Sequence, residues 1–198
     1  MTTASQPAVF LDRDGVINEP VMDPADGRPE APLRADDVAL ARGAAEGLAE
    51  LARTGLPLIV VSNQPAAAKG KVAAADLAAV HARVVELLAA EGVAIEDWRY
   101  CFDHPDALDE ARRDCACRKP RPGMLEAAAS EHGLDLTASW IIGDTDADVG
   151  AGRAVGAATI LVEHPGTAHR RSAAAETDAD AIVPDLAAAA TLVASAMR

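Results

Sequence analysis

The sequence is poor in aromatic residues, which make up 3% of its 198 residues although 50% are hydrophobic. Alanine, leucine and valine must therefore fill the interior, which favours closely packed helices on a sheet. No segment approaches the ~18 consecutive apolar residues of a membrane-spanning helix. The opening stretch "MTTASQPAVF" lacks the basic start and the long apolar run of a signal peptide. We therefore expect a cytoplasmic protein with no membrane partner.

Positive charge is also scarce, because 18 Lys and Arg residues face 31 Asp and Glu residues, for a net charge of −13. An acidic surface repels nucleic acids and anionic membranes, so neither is an expected partner. The P-loop pattern and the G-x-G-x-x-G dinucleotide pattern are both missing from the sequence. We expect a monomer that binds a small molecule. If that molecule is an anion, the site must supply its own local cations.

Short apolar runs alternate with alanine-rich helical segments along the whole chain. The predicted strands are 8–12, 56–63, 97–102, 139–144, 157–162 and 179–183, and the predicted helices are 43–55, 72–92, 123–133, 147–156 and one that begins near Pro184. This alternation predicts one α/β domain over residues 1–198, a three-layer Rossmann-like parallel sheet with helices on both faces. Segments 18–42 and 103–121 fit neither element, and each follows a predicted strand, where such sheets bind ligands. Both are short, so we expect only small cap loops.

Polar residues stand where three predicted strands end. Asp12 and Asp14 follow the first strand, Ser62 and Asn63 end the second, and Asp144 ends the "SWIIGD" strand. The ends of parallel strands meet at one edge of a sheet, where converging carboxylates repel one another unless a cation lies between them. Oxygen ligands of this kind suit Mg²⁺, which often binds a substrate phosphate as well. The segment "CRKPRPG" supplies Arg118 and Lys119 for the remaining phosphate charge.

Four motifs carry a family resemblance: "FLDRDGVIN", "VVSNQ", "CRKPRPGM" and "IIGDTDAD" occur in this order. Together they resemble motifs I to IV of the haloacid dehalogenase superfamily of phosphohydrolases. The resemblance implies that Asp12 attacks phosphorus to form an aspartyl-phosphate. It also implies that Asp14 protonates the leaving oxygen and then activates water. The Mg²⁺ ligands would be Asp12, the backbone carbonyl of Asp14, and Asp144.

The resemblance implies roles for the remaining polar residues too. Ser62 and Asn63 would hydrogen-bond the phosphoryl oxygens, and Lys119 would neutralise charge on the nucleophile and the phosphate. Arg118 would hold the far end of the substrate, and Lys69 stands where related phosphatases carry a basic residue.

Within the superfamily, "DRDGVIN" combined with C-x-C-R-K-P-x-P-G-M is similar to the D-glycero-D-manno-heptose 1,7-bisphosphate phosphatases and to the histidinol-phosphate phosphatases. The expected reaction is hydrolysis of a heptose 1,7-bisphosphate to the 1-phosphate, with histidinol phosphate as the alternative substrate. Two other functions stay open. A phosphomutase needs a large cap to exclude water, and a non-catalytic sugar-phosphate binder would be expected to have lost Asp12, Asp14 or Lys119.

The three cysteines, Cys101, Cys115 and Cys117, all fall at or after the third predicted strand. Closely spaced cytosolic cysteines indicate metal binding more often than disulfides. The related phosphatases carry a C-x-H and then a C-x-C in this loop, around a structural Zn²⁺. Here the first pair reads Cys101-Phe102-Asp103, with His104 one residue later. The fourth zinc ligand is therefore either His104 or Asp103.

Overall fold

The computed structural model describes residues 5–23 and 27–198. Its strands are β1 (Val9–Leu11), β2 (Val21–Met22), β3 (Pro29–Glu30), β4 (Leu58–Asn63), β5 (Asp97–Cys101), β6 (Trp140–Gly143), β7 (Ala158–Val162) and β8 (Ala181–Val183). Its α-helices are α1 (Ala44–Arg53), α2 (Ala74–Ala90), α3 (Gly123–His132), α4 (Asp146–Val155), α5 (Ala173–Asp178) and α6 (Leu186–Ala196). Six strands form one parallel sheet in the order β5-β4-β1-β6-β7-β8, and β2 pairs with β3 as an antiparallel hairpin.

Helices cover both faces of this sheet. Successive residues of a strand point to opposite faces, and in the central strands the side chains on both faces are apolar and need covering. Val9 and Leu11 of β1 pack in the core formed with α1, α2 and α6. Phe10, between them, packs on the other face against α3 and α4. All three residues are fully buried. The apolar runs of the sequence are therefore continuous because neither face of the central strands meets water.

The structure confirms the predicted α/β class, with all six sheet strands and all five predicted helices in place within a few residues. Helix α5 and the β2–β3 hairpin lie in segments where the sequence pattern predicted neither element. Segment 103–121 is irregular apart from a short 3₁₀ turn at Glu110–Arg112. Among the described residues, no helix combines the length and the apolar character that crossing a membrane requires.

The topology decides where a ligand binds. From β1 the chain adds β4 on one side and β6 on the other, so the order reverses at β1. Open α/β sheets bind ligands in the crevice at such a switch point, beyond the carboxyl ends of the strands. The Asp12 backbone N–H, just past β1, donates to the carbonyl of Ile142 in β6 over 2.9 Å. The polar residues that follow β1, β4 and β6 therefore meet at this crevice.

Candidate active site

Three buried carboxylates lie together at the centre of the crevice. Asp12 follows β1, Asp144 follows β6, and Asp148 lies in the first turn of α4. One carboxylate oxygen from each lies within 4.8 Å of the others. Burial raises the pKa of Asp12 to about 6, with the negative charges of Asp148 and Asp14 adding to the effect and the charge of Lys119 opposing it. Burial likewise raises the pKa of Asp144 well above its ordinary value, and the charges of Asp12 and Asp148 add to it.

Lys119 is the cation that faces these carboxylates. Its Nζ lies 3.1 Å from Asp12 Oδ1 and 2.5 Å from Asp148 Oδ1, and it donates to the Val61 carbonyl over 2.6 Å. Burial alone would lower the pKa of Lys119, but the charges of Asp12 and Asp148 outweigh it and hold this pKa above its usual range. One lysine therefore offsets only part of the charge of three buried carboxylates.

Asp144 gives the clearest indication that the carboxylates form a cation-binding site. Both of its carboxylate oxygens are buried, and neither has a hydrogen-bond partner among the described residues. A buried ionised group without partners is costly, so this arrangement calls for a positive ligand. The space is made by Gly15, where φ is +86° and a Cβ would lie 2.0 Å from Asp144 Oδ2. The oxygen-only donor set of Asp12 and Asp144 fits Mg²⁺.

Asp148 has a different environment from Asp12 and Asp144. Thr145, the N-cap of α4, donates from its backbone N–H over 3.1 Å and from its hydroxyl over 2.6 Å to Asp148 Oδ2. The other oxygen of Asp148 contacts Lys119. Both oxygens of Asp148 are thus engaged by protein donors, so its place is to hold Lys119 against Asp12.

Asn63 lines the cavity, but both ends of its amide are engaged by the backbone of Lys119. Its Nδ2 donates to the Lys119 carbonyl and its Oδ1 accepts from the Lys119 backbone N–H, both over 3.1 Å. The predicted phosphate-binding amide therefore ties β4 to the Lys119 segment, in which the Lys119–Pro120 peptide is cis. Ser62 is 1% exposed, and its hydroxyl accepts a hydrogen bond from Gln64 Nε2 over 3.1 Å.

A cavity of about 410 Å³ opens over the carboxylates, and its wall carries further cations. Among its lining residues are Asp12, Asp14, Ser62, Asn63, Lys69, His104, Arg118, Lys119, Asp144 and Arg170. Burial lowers the pKa of Arg118, and the positive charge of Arg170 lowers it further, although Cys115 acts in the opposite direction. His104 has a lowered pKa from burial and from the nearby charges of Arg118 and Lys69. The cavity thus joins two groups of charged residues. One is the carboxylate and lysine centre, formed by Asp12, Asp144, Asp148 and Lys119, and the other is a cationic wall, formed by Lys69, Arg118 and Arg170.

Arg170 is a member of this wall that the sequence interpretation missed. It lies at the end of the 3₁₀ turn Pro165–Arg170, and its Nη2 contacts Glu30 of β3 over 2.6 Å. The packing of this turn against the β2–β3 hairpin brings Arg170 to the cavity, and no motif in the sequence marks it.

The three cysteines converge beside the Arg118 segment. Sγ of Cys101, Cys115 and Cys117 and a carboxylate oxygen of Asp103 all lie within 4.8 Å of one another. Cys101 and Cys117 form a disulfide, and Cys115 Sγ lies 3.4 Å and 3.1 Å from their sulfurs. The sequence interpretation favoured metal over a disulfide, so this bond differs from expectation. Its physical basis is that the fold places the two thiols, 16 residues apart in sequence, in contact.

Of the two candidates for the fourth zinc ligand, Asp103 lies with the three thiols in the structure and His104 does not. The strand geometry explains the difference, because β5 ends at Cys101 and the chain then turns. Asp103 points towards the sulfurs, whereas His104 lines the cavity, and its Nδ1 accepts from the Asp106 backbone N–H over 3.0 Å. His104 therefore lies on the cavity side of this loop, near Arg118 and Lys69.

Comparisons with known proteins agree with this geometry. Residues 116–189 match the model of the HAD-hydrolase-like family, where HAD stands for haloacid dehalogenase. The chain is 34% identical over 183 residues to D-glycero-beta-D-manno-heptose-1,7-bisphosphate 7-phosphatase of Pseudomonas putida, covering 92% of this chain and 96% of that one. It is 39% identical over 153 residues to the enzyme of that name from Mesorhizobium japonicum, covering 77% and 67% of the two chains.

Solved structures show the same likeness. The D,D-heptose 1,7-bisphosphate phosphatase of B. bronchiseptica, complexed with magnesium and phosphate, superposes with a TM-score of 0.77 at 26% identity, covering 96% of this chain and 99% of that one. Identity above 30% across nearly the whole length of a phosphatase shows that the protein is a phosphoric monoester hydrolase. The chain belongs to the haloacid dehalogenase superfamily of phosphatases.

Proposed function

We propose that the protein is a Mg²⁺-dependent phosphatase that removes the 7-phosphate of D-glycero-D-manno-heptose 1,7-bisphosphate. The observation that carries this proposal is the pairing, in one cavity, of the carboxylate and lysine centre with a cationic wall. A bisphosphate presents one phosphate for hydrolysis and a second anion for the wall. The names of the relatives support the same substrate. Over residues 1–198 we expect one domain, with segment 103–121 contributing to both the wall and the thiol cluster.

The reaction would proceed in two displacements at phosphorus. Asp12 attacks phosphorus, the bond to the sugar oxygen breaks, and that oxygen takes a proton from Asp14, leaving an aspartyl-phosphate. Asp14 then takes a proton from a water, whose oxygen attacks phosphorus and restores the Asp12 carboxylate. Lys119 lies 3.1 Å from Asp12 Oδ1, where it offsets charge on the nucleophile and on the phosphoryl oxygens.

The metal would be held by Asp12, the Asp14 carbonyl and Asp144. When bound, Mg²⁺ supplies positive charge that offsets the carboxylates and the phosphoryl oxygens. Ser62, which lines the cavity, would donate a hydrogen bond to the phosphoryl group. Asn63 acts by fixing the Lys119 backbone, with which it exchanges two hydrogen bonds.

Arg118, Lys69 and Arg170 would hold the second phosphate. Histidinol phosphate is the competing substrate, and it carries an ammonium group and an imidazole where the bisphosphate carries an anion. Like charges repel, so the wall disfavours it. We expect kcat/KM for the bisphosphate to exceed that for histidinol phosphate by about 10²-fold, or about 3 kcal/mol. Equal values, or a preference for histidinol phosphate, would overturn the substrate assignment and leave the phosphatase chemistry intact.

We also propose a structural Zn²⁺ in the reduced protein, held by Cys101, Asp103, Cys115 and Cys117. With Zn–S bonds of ~2.3 Å, tetrahedral ligands stand ~3.8 Å apart. Cys115 Sγ lies 3.4 Å and 3.1 Å from the other two sulfurs, so the three sulfurs would move apart to hold the metal once the disulfide is reduced. Arg118 and Lys119 follow Cys117 directly, so a metal here would hold both cations in place. Elemental analysis of protein purified in reductant without chelator should give about one zinc per chain. Cys115→Ala should lower both zinc content and activity. Active reduced protein without zinc would refute the proposal.

A further inference from the structure

Arg13, the residue between the two motif I aspartates, has no part in the reaction described so far. It is among the largest fully buried side chains, with 1% of its surface exposed. A buried guanidinium needs a charged partner and several acceptors. Its Nε and Nη2 donate to Asp14 Oδ1 over 3.2 Å and 2.9 Å, and Nη2 also reaches Asp14 Oδ2 at 3.1 Å. Its Cζ lies 5.6 Å from the centre of the Tyr100 ring.

Gln64, the residue after β4, contacts both Arg13 and Asp14. Its Nε2 donates to Asp14 Oδ2 over 2.6 Å, and its Oε1 accepts from Arg13 Nη2 over 3.0 Å. These contacts define the orientation of the amide. If the amide were reversed, its oxygen would face the Asp14 carboxylate and its N–H groups would face the guanidinium. Arg13 therefore orients Gln64 as well as Asp14.

Asn18 supplies the last donor, from Nδ2 to Asp14 Oδ1 over 3.0 Å. We call Arg13, Asn18 and Gln64 the Asp14 cradle. Its members are all buried, at 1%, 0% and 2% exposure, so few other rotamers are open to them. Both Asp14 oxygens are thus held by donors from two parts of the chain, and Tyr100, whose hydroxyl lies 2.9 Å from His81 Nδ1, backs the guanidinium.

We infer that Arg13 and Gln64 are positioning residues, which aim the Asp14 carboxyl at the oxygen that leaves the phosphate. The inference rests on the proposed role of Asp14 as the acid and base. Displacing a reacting group by about 1 Å costs about 10²-fold in rate. Loss of the cradle should therefore weaken proton transfer and spare the attack by Asp12.

Two leaving groups separate these effects. A sugar alkoxide is a strong base and needs a proton as it departs, whereas the nitrophenolate of p-nitrophenyl phosphate departs without one. The parameter kcat/KM reports the steps up to and including cleavage of the bond between phosphorus and the leaving oxygen. The measurement is the ratio of kcat/KM for the alkyl phosphate to that for p-nitrophenyl phosphate. The alkyl phosphate is the heptose bisphosphate or, if wild type prefers it, histidinol phosphate.

We expect Gln64→Met and Arg13→Lys to lower this ratio by at least about 10-fold, in the same direction as Asp14→Asn. Arg99→Lys is the matched control, because Arg99 pairs with Asp97 and Glu131 away from the cavity, and its ratio should equal that of wild type. If Arg13→Lys does not fold, Gln64→Met decides alone.

The outcomes distinguish the inference from the function on which it rests. If Asp14→Asn lowers the ratio while Gln64→Met and Arg13→Lys lower both substrates equally, the positioning role is wrong and the role of Asp14 stands. If Asp14→Asn itself leaves the ratio unchanged, the acid role of Asp14 and the inference both fail.

Discussion

Metal-free protein should become less stable as the pH rises, which is the reverse of the usual behaviour of buried paired carboxylates. Burial raises the pKa of Asp12 from the ordinary 3.8 to about 6. The folded state therefore binds more protons than the unfolded state between these values, and stability falls as pH rises through this window. The raised pKa of Asp12 alone contributes about 3 kcal/mol to the free energy of unfolding at acid pH, and this contribution is fully lost above about pH 6. For a chain of this size the loss lowers Tm by about 6–12 °C.

Magnesium should reverse this loss where the carboxylates are ionised. Thermal unfolding followed by circular dichroism in EDTA, from about pH 4 to pH 8, gives the metal-free curve. The same scan with millimolar Mg²⁺ should raise Tm most above pH 6 and least at acid pH, where protons compete for the ligand oxygens. A metal-free Tm that rises across this window, or a Mg²⁺ effect independent of pH, would refute the reasoning.

Two single-charge variants provide the comparison. Asp144→Asn removes a buried carboxylate whose oxygens have no hydrogen-bond partner among the described residues, so it should shrink both the pH slope and the Mg²⁺ effect. Asp146→Asn makes the same charge change outside the buried cluster, and its side-chain oxygen can still accept from the Ser172 backbone N–H. Asp146→Asn should behave as wild type.

Three further predictions concern activity and metal binding. Asp12→Asn should lower phosphate release by more than about 10³-fold with the fold retained, and near wild-type turnover would contradict the aspartyl-phosphate mechanism. Gly15→Ala should abolish the Mg²⁺-dependent rise in Tm, because a Cβ there would lie 2.0 Å from Asp144 Oδ2. Gly55→Ala has a similar φ and nothing within 4 Å of the new atom, so it controls for backbone strain alone. Arg170→Met should raise KM for the bisphosphate by about 10-fold and leave p-nitrophenyl phosphate unaffected, since one lost charged hydrogen bond is worth about 1.5 kcal/mol. Equal KM changes for both substrates would remove Arg170 from the second-phosphate site.

The order of short apolar runs and alanine-rich segments was enough to predict the parallel sheet, because burial on both faces leaves a continuous apolar pattern. The same pattern placed Asp12, Ser62 and Asp144 at strand ends, and parallel strands bring their ends to one edge. The β2–β3 hairpin escaped prediction because strands of two residues carry no measurable period. Helix α5 spans 6 residues and is similarly short.

Side-chain partners were decided only by the tertiary structure. The motif residue Asn63 holds the Lys119 backbone. Asp103 lies at the thiol cluster, where the sequence left both Asp103 and His104 as candidates. Arg170 reaches the cavity from a turn that no motif marks. Periodicity determines which face of an element is buried, since that depends on local spacing. Which polar atom meets which depends on how segments far apart in sequence pack together, and this information is absent from any single stretch of the chain.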